Sequence, residues 1–340
     1  MPTESIAGPA PAAIPDDLTS RRRRNHLLEG VSRFGLAIFL VLLILAFGIW
    51  QTDRFFTASN SVSILTGQAV PIILAIAVLF PLVAGEFDLS VAANLSFSAV
   101  WVAYSSALGW PLLLVLATAL AIGAFIGAVN SFFIVKIGVN AFIVTLSMAT
   151  VLAGLNLLVT KGEVLFRGVP ASLRSLGTET FIGFPLVVWV AVLLSFLVWY
   201  ILEFTPYGRY IRATGSGREA ARLSGVRTRY TLTSAFVISG TVAALAGFLQ
   251  IARIGSANPN TGPEFLLPAY AAAFLGATVI QQGLFNLWGT IIGALVLAVA
   301  ISGLTLAGAP FWLPNIFNGV ALLIAVSLSA LSGKRRNDAA

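Results

Sequence analysis

Two carboxylates, Glu86 and Asp88, and five amides, Gln68, Asn94, Asn130, Asn156 and Gln250, fall inside or beside the apolar stretches of this 340-residue chain. Carboxylates and planar amides exchange hydrogen bonds with hydroxyl groups, and amides both donate and accept. The chemistry they offer is recognition of a polar solute rather than bond making. Taken singly, each amide reads as an interhelical hydrogen bond, worth about 1 kcal/mol. Taken together, they describe a polar route that a purely lipid-facing bundle would not need. Asn94 and Asn130 stand first among them, because both have small neighbours that permit close approach. Asp88 has two open readings. It is either a pathway carboxylate, since an ionisable group near hydrocarbon is a functional candidate, or a cap on the following helix through the N–H of Ser90 or Val91. Glu86 falls in the adjoining loop.

Covalent and metal chemistry find few residues. There is no cysteine, so there is neither a disulfide framework nor a thiolate site, and His26 is the only histidine. Mechanisms needing two histidines, including the common zinc sites, are excluded. No metal site and no catalytic residue is expected. A Gly-x4-Gly-Lys-[Ser/Thr] phosphate loop is absent, so the chain is not expected to bind ATP itself.

A second concentration of informative residues lies at 204–230. It contains Gly208, Arg209 and Gly215, then Arg218-Glu219-Ala220-Ala221-Arg222-Leu223-Ser224-Gly225. Residues 218–224 have helical propensity and Gly225 suits the position after a helix end. Ser216 and Glu219 have the spacing of a capping box. The expectation is one short capped helix between two membrane spans, with Arg218 and Arg222 one turn apart. A solvated basic loop would not require the capped helix, so a docking element for a cytoplasmic partner is the functional reading.

These residues need a scaffold, and the composition describes it. Of the chain, 58% is hydrophobic and 10% charged, where a soluble domain carries about 25% charged residues. Mean hydropathy is +0.94. The chain reads as an all-α polytopic membrane protein with about ten spans at 33–51, 62–84, 88–108, 111–135, 140–160, 183–203, 231–253, 265–281, 285–306 and 312–331. The third and eighth, rich in Ala, Ser and Gly, suit helices packed inside the bundle. Residues 1–32 and 332–340 read as basic cytoplasmic tails.

With the N-terminus in the cytoplasm, the inner loops carry Arg21, Arg22, Arg23, Arg24, Arg33, Lys136, Arg209, Arg212, Arg218, Arg222, Arg227, Arg229, Lys334, Arg335 and Arg336. The outer loops carry Arg54, Lys161, Arg167, Arg174 and Arg253. This asymmetry satisfies the positive-inside rule and places both termini inside. It also accounts for the net charge of +7 without nucleic acid as a partner. Gly123-x-x-x-Gly127-Ala128 is echoed by Gly289-x-x-x-Gly293-Ala294 in the opposite orientation, a pattern compatible with an inverted repeat.

Glu219-Ala220-Ala221-x-x-x-Gly225 resembles the coupling motif of ABC importer permeases. The wider stretch from Gly208-Arg209 through Ala213, Gly215, Ala220-Ala221 and Ser224-Gly225-Val226 is similar to the ribose-type sugar permeases. Gly85-Glu86-Phe87-Asp88-Leu89-Ser90-Val91 resembles that family's Gly-Gly-Ile-Asp-Leu-Ser-Val-Gly signature, and Asn140-Ala141-Phe142-Ile143-Val144-Thr145-Leu146 its Pro-Phe-Ile-x-Thr-Leu stretch. The likeness runs from about residue 34 to 331. Glu86 and Ala92 stand where the family has glycine, departures that bear on the substrate.

The resemblance implies a permease subunit in the bacterial plasma membrane, working with a cytoplasmic ABC ATPase that carries ATP and Mg, a second permease copy or related subunit, and an extracytoplasmic solute-binding protein. The loop 161–182, with Lys161, Arg167 and Arg174, is a candidate docking surface for the last of these, and the turn 258–263 a second. Alternatives are a non-sugar solute (polyol, nucleoside or signal molecule), an ion-coupled transporter relying on Glu86, Asp88 and Arg253, or a channel.

Overall fold

The computed structural model describes residues 34–166, 169–281 and 283–337. The basic run at 21–24, His26, Arg33, Arg167 and the tail 1–32 therefore lie outside the described residues. Among the described residues six helices are long and apolar enough to cross a membrane: α3 (Ala58–Val83), α5 with its π-helical extension (Leu112–Ile137), α6 (Ala141–Thr160), α8 (Leu186–Phe204), α11 (Thr228–Ile254) and α13 (Leu287–Leu306). Further apolar helices flank and fill the bundle: α1 (Phe34–Trp50), α4 (Val91–Ala107), α12 (Gly262–Gly276) and α14 (Leu313–Asn337), whose apolar part is Leu313–Leu328. The connecting helices are α2 (Thr52–Phe55), α7 (Ala171–Thr178), α9 (Pro206–Ser216) and α10 (Arg218–Leu223).

Helix α11 is the axis of the fold. Of its most apolar window, 78% is buried, against 22% for α6; a helix apolar all round belongs inside, and one covered on a single side faces lipid. Small residues allow the close contacts. A Cβ on Gly127 would fall 2.2 Å from the Phe236 carbonyl oxygen, and one on Gly123 2.3 Å from that of Gly240. Both glycines of the Gly123-x-x-x-Gly127 pair thus press α5 onto α11. The second pair works in the same way: Gly289 meets Gly276 and Gly293 meets Ala272, joining α13 to α12. In lipid, where apolar surface alone does not drive helices together, such close packing holds the bundle.

Three local features depart from the sequence expectations. The sixth span starts at Leu186 rather than 183, because Thr180–Phe181 and Phe184–Pro185 pair as a hairpin around Ile182 and Gly183. Both turn residues have positive φ, the geometry of a two-residue hairpin turn. The helix at the expected eighth span runs over Gly262–Gly276, not 265–281. The 204–230 loop holds two helices, not one: Pro206 opens α9 at a position where its missing N–H is harmless.

The end of α5 winds into a π turn, Phe132–Ile137. It leaves Phe132 and Phe133 exposed and Ile134 buried, with Lys136 Nζ 5.3 Å from the Phe132 ring centroid.

Candidate functional site

The loop 84–90, between α3 and α4, holds Glu86 and Asp88 and meets three more of the sequence-selected residues, Asn130, Gly215 and Arg218. Gly85 takes φ +82°, a conformation that favours glycine. It lies against Gly215 of α9, where a Cβ would stand 2.1 Å from the Val83 carbonyl oxygen. The Glu86 carboxylate accepts from Arg218 Nη2 of α10 at 2.5 Å. Phe87 stacks on Tyr270 and Phe274 of α12, with centroids 6.0 and 6.3 Å away.

Asp88 is buried. Its Oδ1 accepts from the Ser90 backbone N–H at 3.0 Å and the Ser90 hydroxyl at 2.6 Å, and its Oδ2 accepts from the Ser239 hydroxyl of α11 at 3.1 Å. Its backbone N–H donates to Tyr270 Oη at 3.0 Å. Asn130 Nδ2 of α5 donates to Ser90 Oγ at 2.8 Å, and the Leu89 N–H donates to Thr145 Oγ1 of α6 at 3.1 Å. One seven-residue loop is therefore tied to α5, α6, α9, α10, α11 and α12. The bond to the Ser90 N–H that the sequence suggested does form, but as a turn just ahead of the helix: Ser90 is itself the N-cap of α4, which has no side-chain cap. The Ser239 bond shows that the same carboxylate also reaches across to α11.

The other amides serve the bundle in different ways. Asn94 Nδ2 donates to the Gly240 carbonyl at 3.1 Å and its Oδ1 accepts from Ser98. Asn156 Nδ2 donates to Ser96 Oγ and to the Pro259 carbonyl. Gln68 lines a small cavity beside Glu264 and Asn318. Gln250 Oε1 accepts from Arg253 Nη2 at 3.2 Å. Asn94 and Asn130 are enclosed by neighbouring helices, so the structure separates them from Gln68.

At the 204–230 loop, Gly208 is buried against the Leu202 backbone at the end of α8. Tyr207 accepts from the Ser234 hydroxyl at 3.3 Å, which fastens α9 to α11. Burial pushes its phenol up to about 12. Arg212 pairs with Glu203.

The expected capping box does not form. Ser216 ends α9, where its hydroxyl donates to the Arg212 carbonyl, and Gly217 starts α10 without a side-chain cap. Glu219 instead pairs with Arg222 at 2.8 Å. Gly225 does close the helix, at φ +85°, with its N–H donating to the Arg222 carbonyl and that of Val226 to the Ala221 carbonyl. Ala221 is buried, whereas Arg209, Glu219, Ala220, Arg222 and Ser224 are exposed. Leu223 is 84% exposed at the tip. A cavity of about 710 Å³ opens beside it, lined by Arg218, Glu219, Arg222, Arg227 and Arg229. Leu223 is thus an exposed apolar tip beside Arg222 on a firmly held short helix.

Lys161 and Arg174 are exposed at the far end of α11, and Arg174 donates to the Val169 carbonyl. Sequence reasoning missed Ser239, Tyr270 and Thr145, whose roles come from tertiary contacts. It also missed the partnership of Glu86 with Arg218, although both residues had been singled out.

A helical bundle with six helices long and apolar enough to cross a membrane among the described residues defines a polytopic membrane protein. Comparison with known proteins agrees. Residues 60–326 match the family described as branched-chain amino acid transport system, permease component. The chain is 33% identical to the ribose import permease RbsC of Escherichia coli K12, covering 85% of this chain and 91% of that one. It is 31% identical to RbsC of Haemophilus influenzae (88% and 93% covered) and 32% identical to the fructose import permease FrcC of Rhizobium meliloti (92% and 89% covered). No solved structure matches. The chain belongs to this permease family, with the ribose-type ABC importer permeases.

Proposed function

We propose that this chain is the membrane-crossing subunit of an ATP-driven importer that moves a monosaccharide delivered by an extracytoplasmic binding protein. The observation that carries the proposal is the α9–α10 element, with its Glu219-Ala220-Ala221-x-x-x-Gly225 sequence and exposed Leu223, held to the bundle through Arg218 and Glu86. The sugar follows from the relatives, whose names specify ribose, fructose and allose. The family description mentions branched-chain amino acids, but these near full-length relatives are sugar permeases.

In this reading α1, α3, α4, α5, α6, α8, α11, α12, α13 and α14 make ten crossings with both termini cytoplasmic. The 204–230 loop docks an ABC ATPase that supplies ATP and Mg. Lys161, Arg167 and Arg174 face the binding protein, and two permeases form the pathway in the bacterial plasma membrane. Closure of the ATPases pushes α9 and α10. The push reaches loop 84–90 through Arg218 and the Gly85–Gly215 contact, and Asp88 passes it to α11 and α12. Packed helices then shift as rigid bodies between two arrangements. This chain makes and breaks no covalent bond.

The experiment is gentle purification of the tagged chain from its native membranes, beside a Glu219→Arg variant, with bound proteins identified by mass spectrometry. A P-loop ATPase that accompanies the wild type and leaves with the variant is the expected result. Absence of an ATPase under every nucleotide condition would overturn the reading.

A further inference from the structure

A polar chamber lies at the end of the bundle opposite α9 and α10. Helix α11 begins beside α10 and runs 27 residues, about 40 Å, so its last turn, with Gln250 and Arg253, is on the outer side in the proposed topology. There a cavity of about 360 Å³ is lined by Gln250, Arg253, Asn258, Glu264 and Phe265. Its wall is built rather than incidental. The loop 255–261 that closes it is pinned by Ser96 and Asn156, both donating to the Pro259 carbonyl, and by a two-way backbone bridge between Leu165 and Ala257.

The chamber reaches into the bundle because α12 starts there. Gly262 packs on Ala92 at the beginning of α4, and Ser239, level with that same beginning through Asp88, is eleven residues or about 17 Å along α11. A short helix that starts at depth is a recurrent arrangement around transported solutes.

The lining is short of partners. Arg253 Nε is buried without a hydrogen bond, and no carboxylate among the described residues forms an ion pair with its guanidinium. Glu264 and Phe265 also line the second cavity, of about 180 Å³, on the other side of the first α12 turn. Gln68 and Asn318 face that cavity, and Asn318 Oδ1 is buried with no donor. Pro71 and Pro268 line it as well, and neither supplies an N–H, so the Gly67 and Glu264 carbonyls lack their helical donors. Donors therefore predominate at Arg253 and acceptors at Asn318 and the two carbonyls. One positive and one negative group leave the lining neutral overall. Hydroxyl groups, which donate and accept at once, satisfy such a mixture, and Phe265 adds an apolar face.

We propose that these two cavities form a hydroxyl-binding station for the transported sugar, which hydrogen-bonds first with Gln250, Arg253 and Glu264 and then with Gln68 and Asn318. The proposal rests on the sugar-import reading.

The chain contains no cysteine, so single reporters can be placed at Ser256→Cys and, in the second cavity, at Ile301→Cys, with exposed Ser59→Cys as the control. The transporter, reconstituted with its ATPase and binding protein, is tested for uptake of D-ribose, D-fructose and D-allose. Maleimide labelling of each reporter is then timed with and without the imported sugar, and with L-leucine. The expected result is labelling slowed at least threefold by the sugar at both cavity reporters, unchanged at Ser59→Cys, and no longer slowed when Glu264→Gln or Arg253→Lys is added. Retention of the ATPase by these variants establishes that they fold. Uptake without protection at either reporter would overturn the station and leave the import reading standing. Protection by leucine in place of sugar would overturn it in favour of a zwitterion site. Failure to import any of the three sugars would overturn the sugar reading and the station with it.

Discussion

Reversing the charge of Glu86 separates transmission from stability. Glu86 and Arg218 meet at 2.5 Å, with side chains 24% and 46% exposed. Partly exposed ion pairs contribute about 0.2–1 kcal/mol. Two like charges held about 4 Å apart near a surface would repel by about 4 kcal/mol, but both side chains can swing into solvent, so Glu86→Arg should cost the fold no more than about 1 kcal/mol. That is at most a factor of about five in a folding equilibrium. Any larger loss of transport must come from the broken link between α10 and loop 84–90. The assay is ATP-driven sugar uptake into proteoliposomes, with ATP hydrolysis followed in the same vesicles. Glu86→Arg should lower uptake tenfold or more while the ATPase still co-purifies. The double exchange Glu86→Arg with Arg218→Glu should restore at least a third of wild-type uptake. Uptake within fivefold of wild type in the single variant, or no recovery in the double one, would refute the reasoning.

Other substitutions test the packing and the buried loop. Gly127→Ala should destabilise the protein by about 1–3 kcal/mol in detergent, because its Cβ meets the Phe236 carbonyl at 2.2 Å; an unchanged melting temperature would contradict the α5–α11 contact. Asp88→Ala strands the Ser90 N–H and the Ser239 hydroxyl, each at about 1–3 kcal/mol, whereas Asp88→Asn keeps one acceptor and one donor, so thermal stability should fall in the order wild type, Asn, Ala. Burial raises the Tyr207 phenol from 10.0 to about 12, so the neutral phenol is favoured in the fold. Its contribution is complete below pH 10 and is lost as pH rises through about 12. Tyr207→Phe should abolish that part of the alkaline loss in a pH series of thermal unfolding, at little cost, since Ser234 also donates to the Thr231 carbonyl.

The class of fold was legible in the sequence because a bilayer demands long apolar helices, and six of them appear at or close to expected spans. The Gly-x-x-x-Gly pairs stood out in the sequence as an internal echo, but that they seat α5 on α11 and α13 on α12 came only from the packing. Gly225 closed α10 as its position suggested. Ser216 did not cap it, because α9 continues through Ser216 and only Gly217 separates the two helices; local spacing cannot show that the preceding segment is itself helical. Asp88 was singled out by type. Its bonds to Ser239 and to Tyr270 of α12, 151 and 182 residues away, depend on how α11 and α12 pack, which no local pattern records. Arg253 was counted among the outer charges, and only its tertiary setting shows a buried Nε facing a cavity.

The π turn at the end of α5 alters how substitutions along that helix should be interpreted. An α-helix repeats every 3.6 residues, so one extra residue in a turn rotates everything beyond it by about 100°. Residues before Phe132 keep the angular order that sets Gly123 and Gly127 against α11. That order carries on into the turn, since buried Asn130 and Ile134 continue the spacing of Gly123 and Gly127, while Phe132 and Phe133 face outward. The rotation therefore falls on the chain after Ile137, which Gly138 turns away at φ +88°. A scan of substitutions along α5 should show one periodic pattern of sensitivity that holds as far as Ile134, and substitutions beyond Gly138 should not follow its phase.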